Sequence, residues 1–142
     1  KAQDGICFGN LRTNTQYILM HTKPEASSEL VKKFVVEGLQ EIKGQNITVL
    51  DLREIENAVT DFFIIAEGNS NTQVNSLADS VHKVVRENVG DRPWHIEGRE
   101  NSEWVLMDYV TVVVHIFQTG IREFYDLESL WGDAEVTTIE ND

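Results

Sequence analysis

Four large apolar residues in direct succession, Phe62-Phe63-Ile64-Ile65, place the tightest limit on what this chain can fold into. Side chains of a strand alternate between its two faces, so a run with no polar interruption needs apolar cover on both sides. A strand of that kind suits the middle of an α/β sheet.

The other periodicities build around it. Leu30, Val31, Phe34, Val35, Leu39 and Ile42 recur at helical spacing and predict a first helix over 28–43, ended by Gly44. An apolar, β-branched strand follows over 47–52, and the buried strand covers 61–66. Gly68-Asn69-Ser70-Asn71-Thr72 is a cluster of turn and N-cap residues. The helix it opens carries Val74, Leu77, Ala78, Val81 and Val85 on one stripe and stops near Gly90, with Pro93 reinforcing the break. A short strand over 94–97, a hairpin loop over 98–102, strands over 103–109 and 111–117, and a last helix over 121–131 complete the pattern. The fold class is therefore α/β, a mixed β-sheet with helices packed against it in the order α-β-β-α-β-β-β-α. Strict β-α-β alternation is absent, which argues against a Rossmann-type fold. Three segments are expected: a loose leader over 1–26 with Met20 as a candidate start, a folded domain over 27–134, and an acidic tail over 135–142 that frays.

Charge narrows the choice of partner. Residues 1–46 hold 6 basic and 5 acidic side chains, whereas residues 47–142 hold 6 and 19, a net −13. Such a domain is repelled by phosphate backbones, so direct specific nucleic-acid binding is not expected. It suits a basic protein partner, which it would attract at long range, although acidity also serves solubility. No apolar run approaches the roughly 20 residues that span a bilayer, so no membrane partner is expected. Residues 1–17 read as neither a secretory signal nor a transit peptide. Cys7 is the single cysteine, which excludes an internal disulfide and a cysteine-based zinc site and fits a reducing cytoplasm.

Reactive groups at usable spacing are scarce. His21, His82, His95 and His115 are too far apart in sequence for helical metal-ligand spacing, and neither a G-x-S-x-G elbow nor a glycine-rich phosphate cradle occurs. The serious enzymatic alternative is a metal-dependent nucleotidyltransferase, which needs paired carboxylates on a strand beyond a small glycine turn to hold two Mg²⁺ ions. Gly68-Asn69-Ser70 resembles that turn, yet the next acid is Asp79, alone and within the helix, and Asp51, Asp61 and Asp108 stand singly on their strands. No catalytic residue, metal or cofactor is expected.

Several strings taken in order carry a resemblance. Asp61-Phe62-Phe63-Ile64-Ile65 leads into Gly68-Asn69-Ser70-Asn71-Thr72-Gln73-Val74 and Ala78-Asp79. Glu97-Gly98, Trp104-Val105-Leu106-Met107-Asp108-Tyr109 and Val112-Val113-Val114-His115-Ile116-Phe117 follow. Arg122-Glu123-Phe124-Tyr125-Asp126-Leu127-Glu128 and Leu130-Trp131 close the series. This order resembles the Iojap/ribosomal silencing factor family over about residues 28–134, with Thr111 where the family often has Asp. The resemblance implies a nucleotidyltransferase-like fold without the catalytic acids. It also implies a non-enzymatic protein that binds the large ribosomal subunit through a basic ribosomal protein, the L14 protein. Docked on the inter-subunit face, such a protein blocks subunit joining and represses translation when nutrients are short. A homodimer of the free protein is compatible with it.

Eight residues are candidates for partner binding. Trp104, Leu106 and Asp108 share one face of their strand, with Val105, Met107 and Tyr109 on the other. An aromatic anchor followed by Leu and a carboxylate suits a binding patch with a charged rim. The same Trp could simply cover the sheet, but the resemblance implies the partner surface. Gly98 suits a turn needing positive φ, and Glu97 suits a basic partner residue or solvent. His115, among valines, is a core histidine or a contact. Arg122 and Asp126 stand four apart and suit a surface pair, with Tyr125 on the same side. Ile121, Phe124 and Leu127 or Leu130 are expected to face the sheet, and Trp131 to cap the core.

Overall fold

The computed structural model describes residues 27–140; the leader 1–26, with Cys7 and Met20, and residues 141–142 lie outside the described residues. The first helix, α1 (Ser28–Glu41), opens where the Ser27 hydroxyl accepts from the Leu30 amide at 3.2 Å and buries Val31, Val35 and Leu39. The left-handed position that ends it falls on Lys43 (φ 63°) rather than on Gly44, whose amide donates to the Leu39 carbonyl at 2.8 Å. Strands β1 (Gln45–Asp51) and β2 (Phe62–Gly68) follow. Helix α2 (Asn71–Val89) starts on Ser70, whose hydroxyl accepts from the Gln73 amide, and stops at Gly90 with φ 77°. Gln73 also joins the two helices, donating from its side-chain amide to the carbonyl of Ile42 at 3.1 Å. Strands β3 (His95–Glu97), β4 (Trp104–Asp108) and β5 (Val112–Gln118) come next.

The sheet order is β3-β4-β5-β2-β1-β6, with β2 and β5 parallel and the other pairs antiparallel. Every residue of β2 is buried, as its unbroken apolar run requires. Phe62, Ile64 and Ala66 face the layer of α1 and α2, whereas Phe63 and Ile65 face the opposite side. The two helices pack closely: a Cβ on Gly38 would lie 2.9 Å from the Val81 Cα, and the Ser80 hydroxyl donates to the Gly38 carbonyl at 2.7 Å.

Two expectations for the C-terminal part are corrected. The last helix is two short ones, α3 (Ile121–Tyr125) and α4 (Leu127–Leu130), because Asp126 adopts φ 48° and breaks the helical path between them. The acidic tail does not fray over its described part: Glu135–Thr138 forms β6, which pairs with β1 from Thr48↔Thr138 to Asp51↔Glu135. Val136, Thr137 and Thr138 are β-branched, a strand signal set among acidic residues.

Candidate functional site

Among the described residues, one face of the sheet is covered by two long helices, and the other carries the short α3–α4 segment together with Ile55 and Ala58 of the β1–β2 connection. Strand β4 shows the difference directly. Val105 and Met107 are buried under the helices, whereas Trp104, Leu106 and Asp108 are half-buried on the other face. Directly opposed residues of an antiparallel pair share a face, so the pairings extend this surface. His95 opposes Asp108 and Glu97 opposes Leu106 on β3, while Phe117, His115 and Val113 oppose Trp104, Leu106 and Asp108 on β5. Glu97 therefore lies on the Trp104 side, exposed and paired with His95.

Trp104 is at once part of the core and part of the surface. Its ring stacks on Phe117 with centroids 5.0 Å apart, and Tyr125 of α3 lies 4.7 Å away. Its indole N–H donates to His115 Nδ1 at 3.1 Å. Phe124 meets Tyr125 edge-on at 5.1 Å and is 80% exposed; Tyr125 is 48% exposed. Phe124 and Leu130, expected to face the sheet, point to solvent instead, with Leu130 70% exposed; of that set Leu127 is buried and Ile121 partly so. Phe124, in α3 ahead of the break at Asp126, joins the aromatic surface although its sequence position reads as core. Trp131 packs edge-on against Phe63 at 5.8 Å.

Four candidates support this face from within. His115 is 4% exposed, and burial pushes its pKa down to about 4, so it is neutral near pH 7. An indole N–H only donates, so Nδ1 is the bare nitrogen and the proton sits on Nε2. Gly98, at φ 91°, is irreplaceable on two counts: a Cβ there would sit 2.0 Å from the Trp104 carbonyl oxygen. Asp108 accepts from the Val110 amide at 2.8 Å, holding the tight turn in which Val110 takes φ 75°. Arg122 is not the surface partner of Asp126. It is buried, and its guanidinium bonds to Asn46, Thr48, Glu67 and Glu128. Arg99, which the sequence did not single out, holds the 98–102 loop against α2 through Asn75 at 2.7 Å and Asp79 at 2.8 Å.

Two of the three strand acids weighed for a nucleotidyltransferase, Asp51 and Asp108, do not converge. Asp51 opposes Phe62 and Asp108 opposes Val113, pairings that place them on opposite faces of the sheet. Asp51 is held by Arg53, which keeps its carboxyl below the usual carboxylate range. Among the described residues no group of three His, Cys, Asp or Glu side chains is placed to hold a metal ion. No helix among them is long and apolar enough to cross a membrane.

Comparison with known proteins supplies an independent line. The family model described as "Ribosomal silencing factor during starvation" matches residues 24–142. A ribosomal silencing factor of Halalkalibacterium halodurans is 36% identical over 114 residues, 80% of this chain and 96% of that protein. One from Chromobacterium violaceum is 40% identical over 102 residues, 72% of this chain and 82% of that protein. A crystal structure of a Chromobacterium violaceum protein superposes with a TM-score of 0.71 at 38% identity, covering 75% of this chain and 88% of the other.

Proposed function

This chain belongs to the ribosomal silencing factor family, and from that premise we propose that it binds the large ribosomal subunit and blocks its joining to the small one. It acts in the cytoplasm as a binding protein without catalysis and represses translation when nutrients are limiting. The partner is the basic L14 protein at the inter-subunit face of the large subunit. The observation that carries this reading is the half-buried Trp104, stacked on Phe117 and met at a tilt by Tyr125, on the sheet face that carries no long helix among the described residues. Tyr125 and Phe124 extend it as an exposed aromatic surface. Interfaces of this kind concentrate their binding energy in a few aromatic anchors, with polar groups around them.

The rim fits a basic partner. Glu97, Glu103, Glu123 and Asp126 are exposed on the elements that frame the aromatic residues. Arg122, the basic residue of α3, is buried. A basic surface approaching this face meets exposed carboxylates, which favours fast association. Leu106 and Asp108 lie beside Trp104 on the same strand face and belong to the contact surface. Co-sedimentation tests the reading. The protein should travel with isolated large subunits and not with small ones, and Trp104→Ala should release it. Equal partitioning to both subunits would remove the inter-subunit assignment.

A further inference from the structure

We infer that Arg122 is a positioning residue for the partner face: its buried guanidinium clasps α3 to the far strands of the sheet and thereby sets Tyr125 against Trp104. The inference rests on the proposed function for what the face binds, and on geometry alone for what Arg122 does.

A guanidinium has five N–H donors and no acceptor. Five hydrogen bonds leave this one. Nε donates to Glu128 at 3.1 Å; NH1 donates to the Asn46 carbonyl at 2.6 Å and to Glu67 at 3.1 Å; NH2 donates to the Thr48 hydroxyl at 2.9 Å and to Glu128 at 2.6 Å. The acceptors come from β1, β2 and α4, so a single side chain joins α3 to three other elements. The strand is shaped to receive it. The β1–β2 register shifts between Gln45 and Thr48, and Asn46 takes φ 52°, an irregularity that frees its carbonyl for Arg122.

Apart from the partly buried Ile121 and the Tyr125 ring contacts, α3 is anchored by Arg122. It has only five residues, lacks a side-chain N-cap and lies between two positive-φ positions, Gly120 at 96° and Asp126 at 48°. Arg122 is its one buried residue, whereas Glu123, Phe124 and Tyr125 are exposed. The inward-facing clasp and the outward-facing aromatics thus lie within one helical turn. Lysine at 122 would keep the charge but lose the planar fork that meets four partners at once.

Variants of the full chain separate this role from general stability. R122K keeps the charge, E128A removes a half-exposed acceptor, and Y125L supplies the unstacked reference. The indole N–H resonance of Trp104, assigned with W104F, reports the neighbouring Tyr125 ring. In R122K and E128A that resonance should move toward its Y125L position while unfolding stays cooperative. Binding to large subunits should weaken tenfold or more in R122K and about threefold in E128A. A wild-type resonance position in both variants would overturn the inference, as would wild-type binding by both. If R122K does not fold, E128A decides by the same two readouts. If the unaltered protein fails to bind large subunits, the proposed function falls, and the resonance alone judges the clasp.

Discussion

The indole N–H of Trp104 donates to Nδ1 of His115 across the β4–β5 pair at 3.1 Å, tying the principal aromatic of the open sheet face to a histidine that is almost wholly buried. This bond sets both the tautomer of His115 and the edge of Trp104 that faces inward. Trp104 as a whole stays half-exposed, with the Tyr125 ring 4.7 Å away.

The first prediction follows from the burial of that histidine. Its pKa falls from the ordinary 6.5 to about 4 in the folded protein. The unfolded chain therefore binds the extra proton first, and stability from this group is full above about pH 6.5 and lost as the pH falls toward 4. The whole window is worth up to about 3 kcal/mol. His115→Asn retains an acceptor where Nδ1 stands and does not titrate. Urea unfolding of both proteins between pH 7 and 4 should show the wild type losing more stability than the variant, carboxylate contributions being common to both. Parallel losses would mean that His115 is solvated in the folded state.

Trp104→Ala should affect both stability and binding, because the residue lies between core and surface. Half-burial and the Phe117 stack suggest a stability cost of about 2–3 kcal/mol, below the range for a fully buried aromatic. Binding to large subunits should weaken by about 2 kcal/mol or more, roughly thirtyfold. Chemical denaturation and binding measured on one sample distinguish the two effects. A folded variant that binds as tightly as the wild type would take Trp104 out of the interface.

Gly98→Ala should destabilise the β3–β4 hairpin, since the new Cβ cannot remain 2.0 Å from the Trp104 carbonyl and φ 91° strains any L side chain. A loss of about 2 kcal/mol or more is expected, lowering the melting temperature by about 10 °C. Glu97→Gln, one residue away and exposed, should leave the melting temperature unchanged. Equal melting temperatures for Gly98→Ala and the wild type would show that the hairpin shifts freely.

Much of the fold is legible in local pattern. The apolar run of β2 marks a central strand, period two separates Trp104, Leu106 and Asp108 from Val105 and Met107, and Ser70 marks a helix start. What is not legible depends on distant partners. Arg122 has Asp126 four residues on and so reads as half of a surface pair, but its acceptors at positions 46, 48 and 67 are brought to it by the sheet. No spacing announces the left-handed Asp126 that splits the last helix, or the exposure of Phe124 before it and Leu130 after it. The acidic setting of β6 masks its β-branched residues, and the strand pairs with β1 at the sheet edge. The aromatic face was half-legible: Trp104 and Tyr125 stand out as candidates, while Phe124 reads as core.

Subunit joining measured by light scattering tests the central claim most directly. Large subunits are incubated with the protein at saturation, small subunits are added, and formation of whole ribosomes is followed with time. The expected result is a strong reduction in both rate and final amplitude with the wild-type protein, and near-normal joining with folded Trp104→Ala at the same concentration. Whole ribosomes forming at the uninhibited rate and amplitude, with the wild-type protein shown to be bound to large subunits, would contradict the claim.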